Sequence, residues 1–171
     1  MMFEVDIRDG RRRVQGLRLV VLWITLQGLA SAPPTEAADN LHLAPTLSFT
    51  DDSSNDFPIR GDHLENAEPR PGWATVTFFG ASHCWNTNRE AERLVALYPK
   101  YRDRVSFIVG DVANPSPLQR ALVERYYRGS IPTVVVLGRD GATVYARAGE
   151  TATTRGDTGF LDSLITRAAA E

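Results

Sequence analysis

The sequence predicts an α/β domain: a mixed sheet flanked by helices, closing with a strand hairpin and a final helix. Two observations carry this. From Trp73 onward, apolar β-rich runs alternate with two segments of helical periodicity. Then Arg139-Asp140-Gly141 reads as a hairpin turn into one more strand, ahead of the amphipathic stretch Phe160, Leu161, Leu164, Ile165 and Ala168.

The elements follow in order. Residues 73–79 form a buried strand, and residues 87–98 a helix with Ala91, Leu94, Val95 and Tyr98 in register and Pro99 at its end. A second strand spans 105–112 and stops at the Asn114-Pro115 turn signal, followed by a helix over 117–127. Strands over 131–137 and 142–148 complete a β-α-β-α-β-β-α order. Upstream, 47–50 reads as a short edge strand and 62–67 as a helical turn, with Pro69 and Pro71 closing the stretch.

Length and composition fit one domain plus an extension: 171 residues, 43% hydrophobic and 23% charged. A net charge of −2 with both signs scattered offers neither a basic stripe for nucleic acid nor an acidic tail for a cationic partner. No internal repeat is present.

The N-terminus has the pattern of a signal peptide over 1–32. Arg11, Arg12 and Arg13 precede the apolar run from Leu19 to Leu26, and Ala30-Ser31-Ala32 has the small-x-small form of a cleavage site, with Ala38 a second option. The run is short of the ~20 residues of a comfortable span, so cleavage is favoured over an anchor, and a membrane enters only if the segment is retained. Glu4, Asp6 and Asp9 are unusual in such a segment and suggest a start further downstream. The expected location is periplasmic or extracellular. Residues 33–46, rich in Pro and polar residues, read as a linker, and 47–171 as the domain.

Cys84 is the chain's one cysteine, placed where the first strong strand hands over to a helix. There the unpaired N–H groups and the positive end of the helix dipole favour thiolate over thiol. In an oxidising compartment an unpaired thiol risks stray disulfides, so it is either buried or used.

Three stretches together resemble the thioredoxin family over roughly residues 47–170: the strand running into Ala81-Ser82-His83-Cys84, the Tyr127-Arg128-Gly129-Ser130-Ile131-Pro132-Thr133 loop, and Arg139-Asp140-Gly141 followed by Gly149. The resemblance implies a thioredoxin-like fold, a nucleophilic Cys84, and a cis-proline at Pro132 that holds the Ile131 backbone open for a client strand. Its implied partners are protein or peptide thiols and disulfides, with glutathione as a candidate. The departures are equally informative. Thr87 stands in place of the resolving cysteine, His83 in place of tryptophan, Trp85-Asn86 in place of Gly-Pro, and Phe78 in place of a buried aspartate. A Cys-x-x-Thr centre of this kind implies monothiol chemistry through a mixed disulfide. The second class of function is a redox-inactive module that binds a peptide at the cis-proline groove. Peroxidase chemistry is disfavoured, because Ala81 occupies the position where thioredoxin-fold peroxidases carry Thr or Ser.

Several residues keep two readings. Thr87 and Glu90 match a capping box, while the Thr87 hydroxyl is also placed to bond a Cys84 thiolate. His83 is either a proton shuttle or imidazolium partner, or a solvated loop residue. Trp85 is either a platform for a client or a packing residue. His42 and His63 have no ligand spacing to each other or to Cys84, so neither a metal nor a cofactor is expected.

Overall fold

A computed structural model describes residues 36–151 and 157–170. The expected signal peptide with its cleavage site at Ala32 and the first residues of the expected linker lie outside these, whereas the second cleavage option, Ala38, lies within them.

Two sheets form. A hairpin pairs β1 (Asp39–Leu43) with β2 (Ile59–Asp62) antiparallel. The main sheet contains β3 (Ala74–Gly80), β4 (Val105–Asp111), β5 (Thr133–Leu137) and β6 (Thr143–Ala148) in the order β4-β3-β5-β6. β3 runs parallel to β4 and antiparallel to β5, and β6 is antiparallel to β5. Three helices join them: α1 (Trp85–Tyr101), α2 (Arg120–Tyr126) and α3 (Thr158–Ala170). The element order predicts this sheet with its closing strand pair and helix, and the arrangement is the thioredoxin-like one that the resemblance implies.

β3 is central, so all seven of its residues are buried and the sequence reads as an unbroken β-rich run rather than an alternation. Val76 and Phe78 share one core with Val134 and Val136 of β5, Leu94, Leu97 and Tyr98 of α1, and Leu161 and Ile165 of α3. The C-terminal end of β3 lies against the start of β5, with Phe79 opposite Thr133. That register brings the turn after Gly80 and the loop before Thr133 to the same end of the sheet.

Several expectations need correction. The stretch read as a linker carries β1, with Ala37, Ala38, Leu41 and Ala44 buried and the Ala38 N–H donating to the Phe107 carbonyl at 2.9 Å. Small alanines let the chain lie close to the edge of β4, and their weak hydropathy disguised this. Residues 47–50 form no strand, because Ser48 and Ser54 organise them into turns. The span 62–67 is not a helical turn: Asp62 belongs to β2, and the chain leaves it through a bend closed by Asn66 N–H to His63 O. α1 begins at Trp85 and passes Pro99, ending at Tyr101. Pro99 is exposed, whereas the fully buried Tyr101 donates its hydroxyl to Asp162, and this packing outweighs the one backbone bond proline removes. α2 is shorter than the expected 117–127, because Gln119 is buried and its amide donates to the carbonyls of Leu64, Asn66 and Val109. Among the described residues, no helix is long and apolar enough to cross a membrane.

Candidate functional site

Cys84 is the N-cap residue of α1, in extended backbone at φ −146°, and is half-buried. Its side chain caps nothing, and among the described residues no hydrogen bond reaches Sγ. Its carbonyl accepts from Asn88 N–H at 3.1 Å, closing the first helical turn.

The cap comes from far upstream. The Trp85 N–H donates to Asp52 Oδ1 at 2.8 Å, so a carboxylate occupies the place that the positive end of a helix favours for an anion. Two further ties hold the same upstream segment against the turn. The His83 N–H donates to the Ser54 carbonyl at 2.9 Å, and the fully buried Asn88 amide donates to Ser48 O at 2.6 Å and Ser54 Oγ at 2.9 Å. Residues 48–54 therefore form a strap across the start of α1. Phe57, just beyond, meets Phe78 edge-to-face at 6.4 Å, so an aromatic pair fills the place where the family resemblance led one to look for an acid.

Thr87 follows neither of its two expected roles. It lies within α1 rather than before it, fully buried, and its hydroxyl has no partner. The capping box fails because the helix starts two residues early, which makes Thr87 an interior residue. Its methyl instead packs on Gly80, where a Cβ would collide with Thr87 Cγ2. Glu90, freed from the box, turns inward to Arg93 and Arg147 (the latter at 2.7 Å), while Arg93 also reaches Glu150 at 3.0 Å. Burial opposes the Arg93 charge, but its bonds to Glu90 and Glu150 outweigh this and hold its pKa above the ordinary value. This buried quartet ties α1 to the end of β6.

His83 is exposed, at φ 54°, and engages the strap through its backbone. Trp85 is half-buried, with the Arg89 guanidinium 5.2 Å from the ring centroid. Opposite, the Ile131–Pro132 peptide is cis. The loop is fixed by Gly149 N–H to Pro132 O at 2.8 Å and by Thr133 Oγ1 to Ser130 O at 2.7 Å. Pro132 is buried and Ile131 half-buried. The structure thus gathers Cys84, His83, Trp85 and Thr87 on one turn, with Ile131 and Pro132 at the same sheet end. Sequence reasoning missed Asp52, Ser54, Ser48 and Asn88. The only available signal was the density of turn-forming residues in Asp51-Asp52-Ser53-Ser54-Asn55. Among the described residues, no cluster of metal-ligating side chains gathers.

No family model matches the chain, and no curated protein does. Solved structures do. Thioredoxin O2 from Arabidopsis thaliana is 20% identical with a TM-score of 0.43, over 56% of this chain and 75% of that one. The germline-specific thioredoxin Deadhead of Drosophila melanogaster is 24% identical with a TM-score of 0.44, over 56% and 81%. A thiol:disulfide interchange protein of Chlorobium tepidum is 16% identical with a TM-score of 0.44, over 82% and 99%. These accompany an architecture that the chain's own strand order and helix placement define. The chain is a thioredoxin-fold protein.

Proposed function

We propose that this protein is an exported monothiol member of the thioredoxin-fold group that exchanges thiols and disulfides through Cys84. The observation that carries the reading is the position of the only cysteine, as N-cap of α1 at the sheet end that also holds the Ile131–Pro132 loop. The Cys84 thiolate attacks one sulfur of a client disulfide. The new bond joins Cys84 to that sulfur, and the other sulfur leaves as a thiolate, taking up a proton from solvent. Thr87 has no thiol with which to displace the bound client, so release needs an external thiol, which suits isomerase or deglutathionylating chemistry better than stand-alone reduction. Ile131 and Pro132 would present backbone to the client strand and Trp85 a flanking surface. Export rests on the Arg-rich start, apolar run and small-x-small site of residues 11–32.

The test is incubation of the 171-residue chain with oxidised glutathione between pH 6 and 9, read by intact mass. A gain of one glutathionyl group that dithiothreitol removes, and that Cys84→Ser abolishes, is expected. No adduct at any pH overturns the reading.

A second reading is favoured by one observation: Asp52 takes the first α1 amide and, among the described residues, no donor reaches Sγ. On that reading the domain binds a peptide at the same groove without redox chemistry, and Cys84→Ser leaves binding intact.

A further inference from the structure

Beside the proline loop lies a cavity of roughly 200 Å³ whose charge is one-sided. Thr133, Ala146 and Ala148 line it, small residues contributed by β5 and β6 where Thr133 pairs with Ala148 and Val135 with Ala146. Arg125, Tyr126 and Arg128 line it from the C-terminal end of α2 and the segment after it. Among the described residues no acidic side chain lines it.

The two arginines differ from those of the fold that are ion-paired. Arg60, Arg70, Arg93, Arg102 and Arg147 each have a carboxylate partner. Arg125 and Arg128 have none among the described residues, and Glu124, the one acid of α2, pairs with neither. Arg147 also lines the cavity, but its charge is taken up by Glu90. Arg128 is held in place: its guanidinium donates to the carbonyls of Glu124, Arg125 and Tyr127, satisfying the end of α2. Arg125 lies over the Tyr126 ring at 5.1 Å from its centroid. A cation fixed on the helix-end carbonyls and a ring-supported cation, neither with a carboxylate partner, line a cavity whose Thr133 adjoins Pro132, and together they form a receptor for negative charge.

We propose that this cavity accepts an acidic side chain of the client, so that Cys84 reacts preferentially with disulfides whose cysteine has Asp or Glu a few residues away. The inference deepens the exchange reading above and rests on it. A client strand laid beside Ile131 rises about 3.3 Å per residue, which carries neighbouring side chains past Thr133 toward the cavity. The two exposed ion pairs so formed are modest and salt-sensitive.

The experiment uses the full 171-residue chain and two peptides that differ only in Glu or Gln around their cysteine. Each peptide is activated as a mixed disulfide with thionitrobenzoate. The Cys84 thiolate takes the peptide sulfur and releases thionitrobenzoate, whose absorbance reports the rate. At low salt the Glu peptide should react about threefold to tenfold faster, as two surface ion pairs permit. The advantage should disappear near 1 M salt, where the screening length is about 3 Å. Arg125→Gln should remove the preference without slowing the Gln peptide, and Arg125→Lys should retain it. Equal rates for the two peptides, or a preference that survives Arg125→Gln, overturns the inference while leaving the exchange reading standing. If neither peptide reacts, the exchange reading falls and the preference with it.

Discussion

Asp52 and Trp85 are 33 residues apart in sequence, yet the carboxylate of one caps the helix that begins at the other. The helix has no side-chain cap of its own and no acid in its first turn, so Asp52 supplies both the missing acceptor and the missing charge. It also places a negative group next to the residue whose thiolate the same dipole would stabilise.

Asp52→Asn keeps an acceptor oxygen but removes the charge. Alkylation of Cys84 by iodoacetamide at pH 7 should accelerate about twofold to fivefold, the range of a single charge at a helix end. An unchanged rate would show that the carboxylate does not influence the thiol.

Asn88→Ala removes the buried donor that bonds both Ser48 and Ser54. We expect a loss of about 2 kcal/mol in urea unfolding, from two bonds and the orphaned acceptors. Exchange of the His83 and Trp85 amides should rise more than exchange in β3, since those amides depend on the strap.

Acid should loosen the strap before the sheet. Hydrogen bonds from Ser53 and Ser48 hold the Asp51 carboxyl below its usual value. A depressed folded-state value means that its stabilising effect is complete above the unfolded value of about 3.9 and is lost as pH falls through the folded one. Amide exchange within 48–54 should therefore quicken below about pH 4, and Asp51→Asn should abolish that step.

Glu90→Gln leaves Arg93 and Arg147 buried with half their compensation. A stability loss of about 3 kcal/mol is expected in denaturant titration, and Glu90→Gln combined with Arg147→Met should recover part of it. Equal losses for single and double variants would show that the quartet is not coupled.

Much of this was legible in the sequence. The strands at 73–79, 105–112 and 131–137 were visible because strands buried on both faces are written as continuous apolar runs, and Cys84 stood out by being single. The strap was not legible, because its meaning lies in long-range bonds. Asp52, Ser54 and Asn88 look like ordinary turn and helix residues until Asn88 is seen buried against Ser48. The Thr87-x-x-Glu90 pattern misled for a related reason. Its local logic was sound, but a remote carboxylate let the helix start earlier and released Glu90 to the core. β1 was hidden because three of its five residues, Asp39, Asn40 and His42, are polar and only Leu41 is fully buried, so no apolar run marks it.

Asp52 also fixes where this domain can be divided. A fragment opened at Trp73, where the strongest sequence signal begins, would retain every strand of the main sheet and its three helices. It would nevertheless present α1 with a bare first amide and a buried Asn88 without acceptors. During synthesis the order runs the other way: the strap leaves the ribosome before the helix it completes, so the cap is already waiting when Cys84 emerges.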